Sequence, residues 1–183
     1  LPDFKNLNII KTKIKYKFNW SDFFFLKKIV KNINPDIVQG WMYSGNIAAS
    51  FLTIGDNTKK IFHSIRASNM DSHRYGRQIL LNGLLSKFVN KVVVNSHAGF
   101  VFHQEKPFFN NNMIVIRNGI DTKYFKPDLN LRQTTRKSLG IKNDKKVIIY
   151  VARMDPMKAH DKVLQIASLH PDIIFLIVGS KTN

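Results

Sequence analysis

Cysteine is absent from this 183-residue sequence, which removes both a disulfide framework and a thiol nucleophile. Acidic side chains are scarce: 12 Asp and Glu stand against 29 Lys and Arg, for a formal net charge of +17. With so few carboxylates, no pair can be picked out for glycosidase-type acid–base work. No apolar run reaches the ~18 residues that a membrane-spanning helix needs; Phe23–Leu26 is short, and Lys27 and Lys28 follow it at once. No secretory leader is visible. No Walker loop, G-x-G-x-x-G, HExxH or G-x-S-x-G is present, so those routes to phosphate binding, zinc proteolysis and serine chemistry have no motif to stand on. His97 and His103 lie six residues apart on one expected helix and so on different faces, and with no cysteine they do not make a zinc site.

What is present is a globular composition, 44% hydrophobic and 22% charged, on a chain long enough for one domain or a little more. The positive charge implies attraction to nucleic acid, anionic lipid or phosphorylated substrates. It also fits a plain bias toward Lys, Asn, Ile and Phe, because the lysines are scattered rather than clustered. The chain opens on Leu1 and stops at Asn183 just after a strand-like run, giving the expectation of a piece of a longer protein.

Short, β-branched, nearly continuous apolar runs at Ile37–Gln39, Lys60–His63, Lys91–Val94, Met113–Arg117, Val147–Val151 and Ile173–Val178 predict strands covered on both faces. Helical segments alternate with them: Ser21–Asn32 with Ser21 as N-cap and Phe24, Phe25, Ile29 and Ile33 on one face; Gly45–Thr53; Arg74–Phe88; Ser96–Gln104 capped by Ser96; Leu131–Leu139 ending at Gly140; and Met157–Leu169 after Pro156. This alternation predicts an α/β fold with parallel sheets. The turn-rich, polar stretch between Asn118 and Leu131 divides it into residues 1–127 and 128–183.

Three stretches can carry chemistry. In Val147–His160, VIIYVARMDPMKAH, Arg153 follows a strand's carboxyl end and Lys158 falls in the first turn of the next helix. Ligands of open α/β sheets bind at that edge, and helix N-termini favour anions, so the two cations can converge on one diphosphate. A solvated loop Arg and Lys is the alternative. In Val115–Pro127, VIRNGIDTKYFKP, Asn118-Gly119 reads as a turn with Gly119 at positive φ, and Asp121 can accept backbone N–H bonds; together they read as a structured hinge. In Lys60–Ser68, KIFHSIRAS, His63 closes a strand, and Arg66 nearby can touch a phosphate or an acceptor's anion. Trp41, Met42 and Tyr43 follow a strand end and can line an acceptor pocket or pack in the core.

Taken in order, PDIVQGWMYSGNIAA, IFHSIRAS, VVVNSHAGFVFH, VIRNGIDTKYFKP and YVARMDPMKAHDKVLQIA resemble glycosyltransferase family 4, from about Asn34 onward. The resemblance implies a GT-B-like fold of two Rossmann-like parallel-sheet domains, both incomplete in this chain. It implies transfer of a sugar from a nucleotide-diphosphate-sugar to a sugar or lipid-linked glycan acceptor, with retention and without a metal or other cofactor. The Trp-Met-Tyr form of the first motif resembles members that build lipopolysaccharide or capsular polysaccharide. Arg153 and Lys158 match the pair that neutralises the donor diphosphate, His63 matches a catalytic-site histidine facing the donor sugar, and Gly119 and Asp121 match the interdomain turn. Where the family has Gly before the Arg and after the Lys, this chain has Ala152 and Ala159. The family's glycine-rich first loop is expected upstream of Leu1 and its Glu-x7-Glu motif downstream of Asn183, so the chain alone is expected to be inactive.

Other readings remain open at this point: a basic nucleic-acid-binding α/β protein, which lacks a recognition motif, and another GT-B-like enzyme such as an epimerase or phosphorylase. Lys11, Lys13, Lys15 and Lys17 alternate with Ile14, Tyr16 and Phe18, as a charged edge strand does. The same pattern suits peripheral contact with anionic membrane at the cytoplasmic face.

Overall fold

The computed structural model describes residues 8–10, 20–68 and 70–179. The alternating lysine stretch from Lys11 to Lys17 lies outside them. Two compact units divide between Gly119 and Ile120. In the first, α1 (Trp20–Ile33), β1 (Ile37–Trp41), α2 (Met42–Leu52), β2 (Lys60–Ile65), α3 (Ser72–Leu85), β3 (Lys91–Val94), α4 (His97–Gln104) and β4 (Met113–Val115) follow in turn. The strands form one parallel sheet in the order β1-β2-β3-β4, so α2, α3 and α4 each connect two neighbouring strands. The register places Trp41 beside Ser64, His63 beside Val92 and Val94 beside Val115, which brings the carboxyl ends of all four strands to one edge.

Helical periodicity fixed α1 correctly, but its face differs from the expected one. Phe24, Phe25 and Ile33 are exposed, while Phe23, Leu26, Ile29 and Val30 are half-buried. Spacings of three and seven residues put that second set on one stripe. Ser21 is inside the helix rather than its cap. Asn34 ends it with φ +48, a conformation asparagine tolerates, and Pro35 prevents continuation.

The core of the first unit joins Tyr43, Ile65, Ile79, Val89, Val92, Val94, Phe108 and Met113. Polar side chains are threaded through it. Asn46 of α2 is fully buried; its Oδ1 accepts from the Ser64 backbone N–H at 3.1 Å and its Nδ2 donates to the Ser64 carbonyl at 3.4 Å. Asn82 of α3 donates to the Tyr43 carbonyl at 3.1 Å. His103 Nδ1 meets the Gly99 carbonyl at 2.6 Å, so it carries the proton, and Nε2 accepts from the Tyr43 hydroxyl at 2.7 Å. Burial pushes the Tyr43 hydroxyl up to about 12, keeping it a donor. These bonds tie α2, α3 and α4 to one another and to β2 without leaving most buried polar groups unmatched.

The second unit holds α5 (Leu129–Ser138), β5 (Val147–Val151), a 3-10 turn at Pro156–Lys158, α6 (His160–Leu169) and β6 (Ile174–Val178). Asp128 caps α5 through the Leu131 N–H. Gly140, at φ +67, closes it: the Gly140 N–H reaches the Lys137 carbonyl and the Ile141 N–H the Arg136 carbonyl, a Schellman motif. β5 and β6 pair in parallel as a two-stranded sheet. Among the described residues of this unit only Arg136 and His160 are buried, and Ile149 and Val151 of β5 are exposed, because two strands cannot cover both of their faces. No helix among the described residues is long and apolar enough to cross a membrane.

Candidate functional site

At the carboxyl edge of the first unit lies a cleft of about 590 Å³ lined by Gln39, Ser64, Arg66, Arg117, Asn118 and Gly119. Val93 and Ile116 supply its apolar part. Trp41 ends β1 and Met42 starts α2 at once, with φ +60. That conformation is costly for a non-glycine residue and makes the strand-to-helix turn abrupt. It leaves Trp41 half-exposed at the sheet edge, where the Arg66 guanidinium stacks on its ring 4.5 Å from the centroid. Arg66 Nη1 also donates to Asn118 Oδ1, and its backbone N–H reaches Met42 Sδ at 3.3 Å. Gln39 Nε2 donates to Ser64 Oγ at 2.6 Å.

Thus Trp41, Arg66 and Asn118, singled out separately in the sequence, form one cluster with Gly119 beside it. Gly119 does not take the positive φ expected of it, and a Cβ there would meet nothing within 4 Å; the chain leaves β4 as an irregular stretch rather than a tight turn. Asp121, in the second unit, accepts from the Lys123 and Tyr124 N–H groups at 3.0 and 3.1 Å. Gln39, Ser64 and Arg117 escaped the sequence reading. The signal for the first two was the strand period: residues two apart share a face, so Ser64 and Arg66 point together.

His63 is placed differently from that pair. It is 0% exposed, lies under α2, and its Nε2 meets Ser50 Oγ at 2.9 Å, so it does not line the cleft. Its Nδ1 is buried without a hydrogen-bond partner among the described residues. Burial drives its pKa down to about 4 against a smaller upward pull from the Asn46 backbone. His103 is lowered as well, by burial first, with the Gly99 carbonyl opposing and Lys106 adding. The unfolded chain takes up these protons near 6.5 and folded His63 only near 4, so the unfolded state binds more protons between those values. Stability of the first unit is therefore expected to fall as pH drops through that window, by about 2 kcal/mol at pH 5 from His63 alone. Urea midpoints across pH 4–7 check this; a wild-type curve no steeper than that of His63→Gln would refute a buried neutral His63.

In the second unit, Arg153 and Lys158 share one loop past the carboxyl end of β5. Asp155 organises it: its Oδ1 accepts from the Met157 N–H at 3.0 Å and its Oδ2 pairs with Arg153 Nη2 at 3.2 Å. Lys158 is exposed and ends the 3-10 turn rather than lying in the first turn of α6. Proline at the turn's start and the short Asp155–Lys158 backbone bond of 2.8 Å favour the tighter helix. The Tyr150 hydroxyl donates to the Lys158 carbonyl, and the Tyr150 ring packs edge-on to buried His160 at 5.1 Å. Gly179 stands beside this loop; a Cβ there would lie 1.9 Å from the Ala152 carbonyl oxygen, so only glycine fits. Tyr150, Asp155 and Gly179 were not singled out in the sequence.

Ala159, between the 3-10 turn and α6, adopts φ +48 and ψ +48. A Cβ costs about 1–2 kcal/mol in the left-handed region, a cost that glycine avoids. Ala159→Gly is expected to stabilise the second unit by about 0.5–1 kcal/mol after the greater freedom of glycine in the unfolded chain is subtracted. A raised urea midpoint for that unit is the readout; a lowered one would contradict the left-handed turn.

Residues 132–183 match the family described as "Glycosyl transferases group 1". The D-inositol 3-phosphate glycosyltransferase of Mycobacterium ulcerans is 34% identical over 69 residues, a stretch that covers 38% of this chain and 14% of that protein. The chain thus spans a small part of the length of such curated relatives. Among solved structures, Anabaena Alr3699/HepE in complex with UDP-glucose aligns with a TM-score of 0.73 at 16% identity, over 88% of this chain and 44% of that one. A glycosyltransferase from Rickettsia africae ESF-5 aligns with a TM-score of 0.61 at 14% identity, over 93% and 55%. At these identities the structural likeness carries the fold, which is α/β of the GT-B class.

Proposed function

From the group 1 glycosyl transferase match of residues 132–183 and the GT-B fold, we propose that this chain is part of a glycosyltransferase. The enzyme moves a sugar from a nucleotide-diphosphate-sugar to an acceptor. The observation that carries the reading is the loop from Arg153 to Lys158, at the carboxyl end of a parallel strand and directly ahead of the N-terminus of α6. In the reaction the bond between the sugar's anomeric carbon and the diphosphate oxygen breaks. A bond from that carbon to an acceptor hydroxyl oxygen forms, and the hydroxyl proton passes to the departing diphosphate. Negative charge grows on the diphosphate as it leaves. Fixed cations and free helix N–H groups aimed at that charge stabilise the transition state more than the ground state. Arg153 and Lys158 supply the cations, so the reading needs no metal. The UDP-glucose held by the Anabaena protein supports a nucleotide-sugar as the donor.

Residues of the first unit serve the acceptor in this reading, with Trp41 and Arg66 as contacts. His63, buried against Ser50, sets the packing of β2 beneath α2 rather than touching substrate. The apolar faces left open on β5 support a larger donor domain in the enzyme. The reading extends to cell-surface polysaccharide or lipopolysaccharide synthesis with retention, suggested by the Trp41-Met42-Tyr43 form of the first motif. A place at the cytoplasmic face of the membrane accords with the +17 charge, which favours anionic lipid and lipid-linked acceptors. The test is turnover of nucleotide-sugars by the enzyme containing this chain, with wild type and Lys158→Ala side by side. Unchanged turnover would overturn the diphosphate assignment.

A further inference from the structure

We infer that the cleft of the first unit is an oxyanion site, so that the acceptor is a sugar or sugar-like molecule bearing a phosphate or carboxylate. The role as acceptor rests on the glycosyltransferase reading; the recognition of an anion rests on the cleft alone. Two arginines, Arg66 and Arg117, line it, and no Asp or Glu among the described residues does. Two other cations among the described residues have carboxylates: Lys59 pairs with Asp56 at 3.0 Å and Arg153 with Asp155 at 3.2 Å. Neither Arg66 nor Arg117 pairs with a carboxylate among the described residues. Their charge is left for something that enters the cleft.

Arg66 is also pre-positioned. Trp41 covers one face of the guanidinium and Asn118 takes one N–H. The rest of its fork has no protein acceptor among the described residues. A planar fork held in this way matches two oxygens of a carboxylate or phosphate and loses little side-chain freedom on binding. The Gln39–Ser64 pair lies on the same strands' edge and offers an amide carbonyl and a hydroxyl to the neutral part of a sugar. An arginine kept only to cap Asn118 would not need a second unpaired arginine in the same cleft.

The experiment is calorimetric titration of the full 183-residue chain with glucose 6-phosphate, glucuronate and glucose at low ionic strength. At least one of the two anionic sugars should bind about tenfold or more tightly than glucose, the difference that hydrogen bonds to charged groups provide. The two arms show whether phosphate or carboxylate is preferred. Arg66→Gln and Arg117→Gln should each weaken that binding by about tenfold, while Lys137→Gln, the same loss of charge at an exposed position of α5, leaves it unchanged. Both arginines are exposed, so circular dichroism should show both variants folded. The site is refuted if neither anionic sugar binds better than glucose, or if Lys158→Ala abolishes binding while Arg66→Gln does not. Titration of the Arg66→Gln/Arg117→Gln double variant with pyrophosphate separates the two readings: with the cleft disabled, binding indifferent to Lys158→Ala sinks the donor assignment and leaves the anion cleft standing.

Discussion

Lys158→Ala is expected to lower nucleotide-sugar turnover by about 10²–10³-fold in the enzyme containing this chain, the loss typical of removing one group that faces developing charge. Most of the loss should fall on kcat. The ground-state diphosphate carries charge that water can match, whereas the charge released by bond cleavage needs a fixed cation, and the other one on this loop, Arg153, is already paired with Asp155 at 3.2 Å. The substitution should leave the fold intact. Lys158 is exposed, and its structural bonds run through the backbone: its N–H to the Asp155 carbonyl at 2.8 Å and its carbonyl to the Tyr150 hydroxyl. Alanine keeps both. Lys158→Arg, which retains the charge, should recover part of the rate. Steady-state kinetics of the three proteins decide it, and equal kcat for wild type and alanine would remove the lysine from the mechanism.

The largest effect on stability is expected at Gly40. A Cβ there would lie 2.5 Å from Asn46 Cα and 2.7 Å from both its backbone N and its Oδ1. Two of those atoms are backbone and cannot rotate aside. Asn46 is in turn fixed by its two bonds to the Ser64 backbone, so relief requires lifting α2 off the sheet. Gly40→Ala should cost the first unit about 3 kcal/mol, at the upper end for overpacking. Gly45 is the control within the same motif: its Cβ would meet only the Gly40 carbonyl carbon at 3.9 Å, and alanine suits a helix better than glycine. Urea denaturation of the two variants should place them on opposite sides of wild type. A loss at Gly40 no greater than at Gly45 would mean that α2 is free to shift.

The expected anion preference of the first cleft bears on the positive charge of the chain. A net +17 spread over scattered lysines says little about a partner. Two arginines without carboxylates in one cleft say more, because their position fixes what can approach them.

The sequence by itself determined the alternation of strands and helices, and with it the parallel sheets. Apolar runs of three to six residues and caps such as Ser96 and Gly140 are local signals, decided by hydrogen bonds within a few residues. It also determined the strand-exit positions of Arg153 and Lys158, since these follow from where β5 stops. Tertiary structure decided which side chains face which neighbours. Ser64 and Arg66 open on the cleft and His63 is buried beneath Ser50 because α2 packs over one face of β2, a contact 13 residues away in sequence. Trp41, Arg66 and Asn118 meet across separations of 25 and 52 residues, and no local pattern encodes such a meeting. The exposure of Phe24 and Phe25 was decided in the same way. Periodicity states that a helix has an apolar stripe, but only the surface that packs against it fixes which stripe is buried.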